Sequence, residues 1–253
     1  MTFLKLLLTY CSCFLLFCGD ATAAKSRESI LWATPIWPGF TDGPDKGYFD
    51  ALMLSIFPSS EFKVVKQSTP WKRSLMMLKS ARADMTGATD KSAELNQSHY
   101  PVLINQEAVV FKKSDIDWLG IESLRRHKGI WPPGYIDEFP QELRKALKGM
   151  DFEGREKAFQ LFLHRPVPDY YLDSLYNIAW LTEKYISPQQ KGQFQTEVIF
   201  TAELYWAFAN SDKGNELKAY FDAQYVSLHC SGELQTLQRT FRIAAASTQI
   251  DCH

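Results

Sequence analysis

Residues 70–84 read PWKRSLMMLKSARAD, and residues 157–173 return to the same design. In the first copy Trp71, Leu75 and Leu78 fall at i, i+4 and i+7, one face of a 3.6-residue period, ahead of Arg82, Asp84 and the apolar-small run MTGAT. In the second, Ala158, Leu161 and Phe162 make the stripe ahead of Arg165, Asp169 and YYL. An amphipathic helix feeding a short strand, stated twice, predicts two α/β lobes with largely parallel sheets. Ligand sites in such lobes lie in crevices at the strand ends. Because Arg82, Asp84, Arg165 and Asp169 recur in both copies, they read as structural and are set aside as ligand contacts.

Outward from this pair, Ile30–Thr34 reads as a first strand, followed by the turn-rich loop IWPGFTDGPDKG. Tyr48–Phe57 reads as a helix with Phe49, Leu52, Met53 and Ile56 on one face, stopped by Pro58. Strands are expected at Phe62–Val65, Met85–Ala88 and Glu107–Phe111. The pattern restarts near Lys112 with a helix at Ile121–Arg126, a strand at Gly129–Trp131, the turn PPGY and a charged helix at Glu142–Lys148. Beyond the second copy come a helix at Leu175–Tyr185 and an extended apolar stretch, Glu197–Ala209, that carries the chain back toward the first lobe. Helices at Asn215–Leu228 and Leu234–Phe241 close the chain.

The N-terminus carries Lys5, an apolar run from Leu6 to Cys18, and small residues Ala21 and Ala23 in the spacing of an A-x-A cleavage site. This reads as a secretory signal peptide over residues 1–23. Its core is shorter than the roughly 20 apolar residues a membrane span needs. Cys18 raises a lipoprotein alternative, opposed by bulky Phe17 where acylation needs a small residue. Cleavage leaves Cys230 and Cys252, for which an oxidising compartment implies one disulfide. The loop of about 22 residues is worth on the order of 3 kcal/mol in the chain-entropy model. His229 and His253 flank the two cysteines, but the set falls short of ordinary zinc sites, and neither a metal nor a cofactor is expected.

A net charge of −1 gives no basic surplus for nucleic acid or an anionic membrane. Most of the seven Trp, eleven Tyr and seventeen Phe are expected in the core, and an excess suits a cleft that stacks on a ligand. No nucleophile elbow, zinc-helix motif, P-loop or dinucleotide glycine motif is present, so binding is expected ahead of catalysis.

In order along the chain, WPGFTDGPDKGYFDALMLSIFP, PWKRSLMMLKSARADMTGATD, YPVLINQEAVVFKKSD, IESLRRHKGIWPPGY and ELYWAFANSDKGNELKAYFDAQYVSLHCSGEL resemble periplasmic solute-binding proteins of family 3, the type found with polar amino-acid ABC transporters. The resemblance implies the type II periplasmic binding protein fold: two α/β lobes joined by two crossing strands, with ligand trapped between them by hinge closure. It places lobe 1 at residues 24–111 and 200–253 and lobe 2 at 112–199. It implies a periplasmic monomer that captures a small polar or zwitterionic, amino-acid-like ligand and serves an ABC permease or a membrane sensor. A periplasmic enzyme on the same scaffold, similar to cyclohexadienyl dehydratases, is the alternative; Glu203, Glu107 or Asp173 would then act as acid or base. Counting back from Pro101, the family's carboxylate-holding Arg falls at Ser92, with Lys91 beside it as a point-charge substitute. The family's ammonium-holding Asp falls at Ser174, with Asp173 one place off, which either breaks the match or signals a local bulge.

The expected ligand contacts are Trp37, Phe40, Trp71, Arg73, Gly87, Thr89, Lys91, Tyr135 and Asp173. Trp37 and Phe40, in a Pro/Gly loop, read as stacking walls. Trp71 opens a helix and is either a wall or a core anchor; Arg73 reaches a ligand anion or pairs on the surface. Gly87, Ala88 and Thr89 present amides and a hydroxyl after a strand, or form a simple turn. Tyr135 follows the rigid PPG turn, at a strand end or in packing. Asp173 meets a cationic group or caps the helix near Leu175.

Overall fold

The computed structural model describes residues 27–43, 46–243 and 250–252. The signal peptide expected at residues 1–23 lies outside them. The strands are β1 (Glu28–Thr34), β2 (Phe62–Ser68), β3 (Met85–Asp90), β4 (Asn96–Gln97), β5 (Leu103–Lys112), β6 (Gly129–Trp131), β7 (Gly149–Asp151), β8 (Tyr170–Ser174) and β9 (Phe194–Phe208). The helices are α1 (Tyr48–Ile56), α2 (Trp71–Lys79), α3 (Gln141–Ala146), α4 (Arg155–His164), α5 (Leu175–Tyr185), α6 (Pro188–Lys191), α7 (Asp212–Ser231) and α8 (Glu233–Phe241).

All strands join one sheet in the order β2-β1-β3-β9-β5-β8-β6-β7, with β4 also pairing β9. Each half repeats one plan. β1 lies between its parallel neighbours β2 and β3, and β6 lies between parallel β7 and β8. An antiparallel strand then follows, β9 beside β3 and β5 beside β8. The repeated helix and strand signature corresponds to these halves, and its aspartates do the same work in both. Asp84 donates its backbone N–H to Leu31 O at 2.9 Å while its Oδ2 accepts from Leu31 N at 2.7 Å. Asp169 does this with Lys128, at 2.7 and 2.8 Å. Each carboxylate thus fixes where the third strand of a half starts against the first, a structural role as the recurrence implied.

The core follows the alternation of the strands. Ile30, Trp32, Met85, Trp206 and Phe208 pack with Phe49, Leu52 and Phe221 in one apolar group. In the second half Ala108, Val110 and Tyr171 face α4 and α5 through Phe159, Phe162, Ile178 and Leu181. The intervening Val109, Phe111, Tyr170 and Leu172 face the other way, onto Leu124, Trp131 and Phe139. β5 and β9 contribute to both halves: Leu103 and Leu204 belong to the first group, while Val109 and Phe111 of β5 belong to the third, against which Ile199 and Phe200 of β9 pack.

Three local readings change. Residues Ile121–Arg126 form a 3₁₀ helix rather than an α-helix, in keeping with a six-residue segment. β7 carries three exposed residues at a sheet edge and so leaves no hydrophobic signature. β5 begins at Leu103, four residues before the apolar run that announced it, because its first residues alternate buried and partly exposed. Cys230 and Cys252 are bonded, tying the last described residues to α7. Among the described residues no helix is long and apolar enough to cross a membrane.

Candidate functional site

A cavity of about 330 Å³ opens where the carboxyl ends of strands from both halves meet. From the first half it is lined by Pro35, Ile36 and Trp37 after β1, by Pro70, Trp71 and Lys72 at the start of α2, and by Gly87, Ala88 and Asp90 of β3. β5 and β9 supply Asn105, Glu107 and Leu204. The second half gives Pro132, Pro133, Tyr135, Phe139, Glu153, Gly154, Arg155 and Asn177.

The aromatic wall is held from behind. Trp37 N donates to Thr41 Oγ1 at 2.7 Å, and the backbone amides of Phe40 and Thr41 return to Trp37 O at 2.9 Å. This tight turn stacks the Trp37 ring on Phe40, with centroids 4.2 Å apart. Phe40 is 2% exposed and packs on Phe49, so it buttresses the wall without lining the cavity. At Gly87 a Cβ would stand 2.2 Å from the Trp206 ring, so only glycine lets the cavity floor and that buried indole coexist. Opposite, Trp131 Nε1 and Gly134 N both donate to Asp151, at 2.7 and 2.9 Å. With Gly134 in the left-handed region at φ 73°, these bonds turn the PPG segment so that Tyr135 reaches the site.

Two carboxylate centres organise the polar part. Glu107, 7% exposed, accepts from Tyr135 OH at 2.7 Å and from Asn105 Nδ2. A register shift between β5 and β9 at Glu107/Ala108 marks a bulge at this side chain. Burial, then the Glu107 carboxylate, then Asp173 push the Tyr135 phenol well above its ordinary range, so it stays a donor. The second centre is Asp173, fully buried. It accepts from Arg155 Nε at 2.6 Å, Tyr171 OH at 2.5 Å, Ser174 N at 2.8 Å and Asn177 Nδ2 at 2.7 Å. Burial opposes the charge on Arg155, but the adjoining Asp173 carboxylate outweighs it, aided by Tyr171 and Tyr135, and raises the guanidinium further. Two lining side chains retain buried polar atoms without a hydrogen-bond partner, Trp37 Nε1 and Asn177 Oδ1.

The halves also touch across the gap. Lys72 Nζ is 3.3 Å from Asp137 Oδ2, Tyr176 packs edge-on against Phe40 at 4.9 Å, and Arg155 Nη1 lies 3.5 Å from Ile36 O.

Of the residues expected at the site, Trp37, Trp71, Gly87 and Tyr135 line the cavity, and Phe40 and Asp173 stand directly behind it. Arg73, Thr89 and Lys91 lie elsewhere. Arg73, on α2, is exposed and does not line the cavity. The Thr89 hydroxyl is taken up by Tyr205 O at 3.2 Å and Gln97 Nε2 at 2.5 Å. Lys91 Nζ lies over the Tyr205 ring at 4.1 Å, and Lys91 is not among the residues lining this cavity. No bulge in β8 explains the one-residue offset at Asp173: β8 pairs with β5 in unbroken register from Phe111↔Tyr170 to Glu107↔Ser174. The N-cap of α5 is Ser174, whose side chain accepts from Asn177 N, which leaves Asp173 to Arg155. The sequence reading missed Arg155 and Asn177. The signal for Arg155 was the pair Gly154-Arg155 opening an amphipathic helix, with Gly154 at φ 89° turning the chain at the cavity edge.

No protein-family model matches the chain, and no curated protein matches it in sequence. Solved structures do match in shape. The ancestral amino acid-binding protein AncCDT-1, a precursor of cyclohexadienyl dehydratase, superposes with a TM-score of 0.67 at 16% identity, over 84% of this chain and 95% of that one. An ancestral arginine-binding protein bound to arginine gives 0.69 at 13% identity, over 85% and 98%. The GluR0 ligand-binding core from Nostoc punctiforme, in complex with L-glutamate, gives 0.67 at 15% identity, over 84% and 98%. The agreement over nearly whole chains, with the mirrored strand order described above, establishes the two-lobed α/β fold of the type II periplasmic binding proteins.

Proposed function

We propose that the protein is an exported solute receptor that captures a small polar or zwitterionic, amino-acid-like molecule between two lobes, residues 24–111 with 200–253 and residues 112–199. The observation that carries this reading is the cavity itself. It has aromatic walls from both halves and polar groups converging from both, the form a small-molecule site takes. β5 and β9, the strands shared by the two apolar groups, act as the crossing strands about which the lobes close. The Lys72–Asp137, Tyr176–Phe40 and Arg155–Ile36 contacts hold the closed form. That the superposing proteins include receptors of amino acids supports the ligand class. Export to the periplasm rests on the N-terminal signal. The receptor works as a monomer that hands its ligand to an ABC permease or reports it to a membrane sensor, without a nucleic-acid role.

A thermal-shift screen of the mature protein against amino acids, polyamines, organic acids, sugars and aromatic metabolites tests this. Ligand at 1,000 times its dissociation constant adds about 4.1 kcal/mol, a rise of roughly 8–16 °C at this size. A shift confined to one chemical class supports the receptor; no shift with any class contradicts it. The Tyr135–Glu107 hydrogen bond inside the cavity favours a second reading, an acid-base enzyme on this scaffold. Turnover of prephenate or arogenate by the parent, abolished in Glu107→Gln, would establish that reading over pure binding.

A further inference from the structure

We propose that closure of the two halves is keyed by one side chain: Tyr176 of the second half seats in a notch that only glycine leaves open at position 39 of the first, and there it backs the aromatic wall of the cavity. The inference rests on the closing motion of the receptor reading above and names a contact that governs it.

The first observation is the notch. Gly39 stands at φ 78°, in the left-handed region that glycine enters freely. A Cβ added there would lie 2.3 Å from Tyr176 Oη and 2.7 Å from two carbons of its ring. With a side chain at position 39, either the ring leaves its seat or the halves part.

The second is that both partners are held in place. Behind the notch, Gly39 N donates to Asp42 Oδ2 at 2.6 Å and Gly43 N to Asp50 Oδ2 at 2.7 Å. Lys66 Nζ completes this brace, donating to Asp50 Oδ1 at 2.6 Å and to Thr41 O at 2.9 Å. On the other side Tyr176 lies in the first turn of α5, whose start is fixed by the Ser174 cap and by the bond from Asn177 Nδ2 to Asp173. The notch and the ring are therefore parts of two rigid bodies, and their fit bears on how those bodies meet.

The third is the run of rings. Tyr176 meets Phe40 edge-on at 4.9 Å, and Phe40 stacks on Trp37 at 4.2 Å. Trp37 lines the cavity and Tyr176 does not, so Tyr176 is a positioning residue that acts on the wall through Phe40. An edge-to-face pair favours the joined state by roughly two- to tenfold. Tyr176 is 38% exposed and belongs to none of the buried apolar groups, so its removal leaves the core of the second half intact.

The test traps closing events in the mature protein. Lys72 and Asp137 face each other across the gap at 3.3 Å, so a Lys72→Cys/Asp137→Cys reporter is treated with a short bismaleimide, with no small molecule added. The rate of cross-linking reports how often the halves meet. Tyr176→Ala should slow it roughly two- to tenfold. Gly39→Ala should slow it about tenfold or more, as overpacking does, yet cost less than about twofold further once Tyr176→Ala has emptied the seat. Gly39→Asn, which enters the left-handed region more readily than alanine, repeats the measurement if Gly39→Ala folds poorly. Three results overturn the proposal: no cross-link in the reporter itself, the reporter's rate retained in Gly39→Ala, or the same loss from Gly39→Ala with and without the Tyr176 ring, which would assign the effect to backbone strain. Because no small molecule takes part, the receptor reading stands or falls separately, by the thermal screen.

Discussion

Arg155→Met is the most informative single change. The Arg155 side chain is 24% exposed and its partner Asp173 is 0% exposed, so the substitution strands a buried carboxylate. Breaking a fully buried pair costs about 3–5 kcal/mol. Here water reaches one partner, and Asp173 keeps three donors, from Tyr171, Ser174 and Asn177, which lowers the expectation to about 2–3 kcal/mol. At roughly 2–4 °C per kcal/mol for a chain of this size, melting should fall by about 4–12 °C. Asp173→Asn alone should cost a similar amount, since it leaves the Arg155 charge unmatched. The double variant removes both charges and should cost less than the sum of the singles by about 2 kcal/mol. Urea unfolding of all four proteins measures the coupling. Single costs that add to within about 0.5 kcal/mol would show that the two residues do not act as a pair.

Other changes bear on the frame around the site. Cys230→Ser opens the disulfide and should lower melting by roughly 6–12 °C from the chain-entropy value of about 3 kcal/mol; a shift under about 2 °C would show the tail adds nothing. Gly87→Ala drives a methyl to 2.2 Å from the Trp206 ring and should cost about 1–3 kcal/mol, with altered tryptophan fluorescence as the check. An unchanged denaturation midpoint would mean Trp206 moves freely. Burial raises the phenols of Tyr48, Tyr135, Tyr171 and Tyr225 above the ordinary value of 10.0. For a group whose pKa is raised by folding, the stability it contributes is fully present below the unfolded value and is lost as pH climbs toward the folded one. Unfolding free energy should therefore decline above about pH 10, by up to about 1.4 kcal/mol per pH unit per tyrosine, and less steeply in Tyr48→Phe, as urea unfolding across that range would show. Identical slopes for parent and variant would contradict this.

The sequence disclosed the repeated halves because the device that builds them is local: an amphipathic helix, an arginine, then an aspartate that clasps the backbone of the half's first strand. The aromatic wall was legible for a similar reason, since Trp37 sits in a Pro/Gly turn and Trp71 at a helix start. The polar half was legible only in part: Glu107, Tyr135 and Asp173 were named from the sequence, but the partners of Asp173 were not. Arg155 and Asp173 stand eighteen residues apart and meet only because α4 packs against β8, and Asn177 acquires its role from that pair. Lys91 lies over the ring of Tyr205, on the distant β9, and outside the cavity lining, a placement its neighbours in sequence do not announce. Edge strand β7 was invisible because its residues are all exposed and follow no hydrophobic period.

A crystal structure of the mature protein grown with the strongest compound from the thermal screen decides whether a small molecule is enclosed between the two halves. One molecule is expected inside the cavity, between Trp37 and Trp71 on one side and Tyr135, Arg155 and Asn177 on the other. A saturating compound found on the outer surface, with the cavity closed and filled only by protein side chains or water, would contradict it.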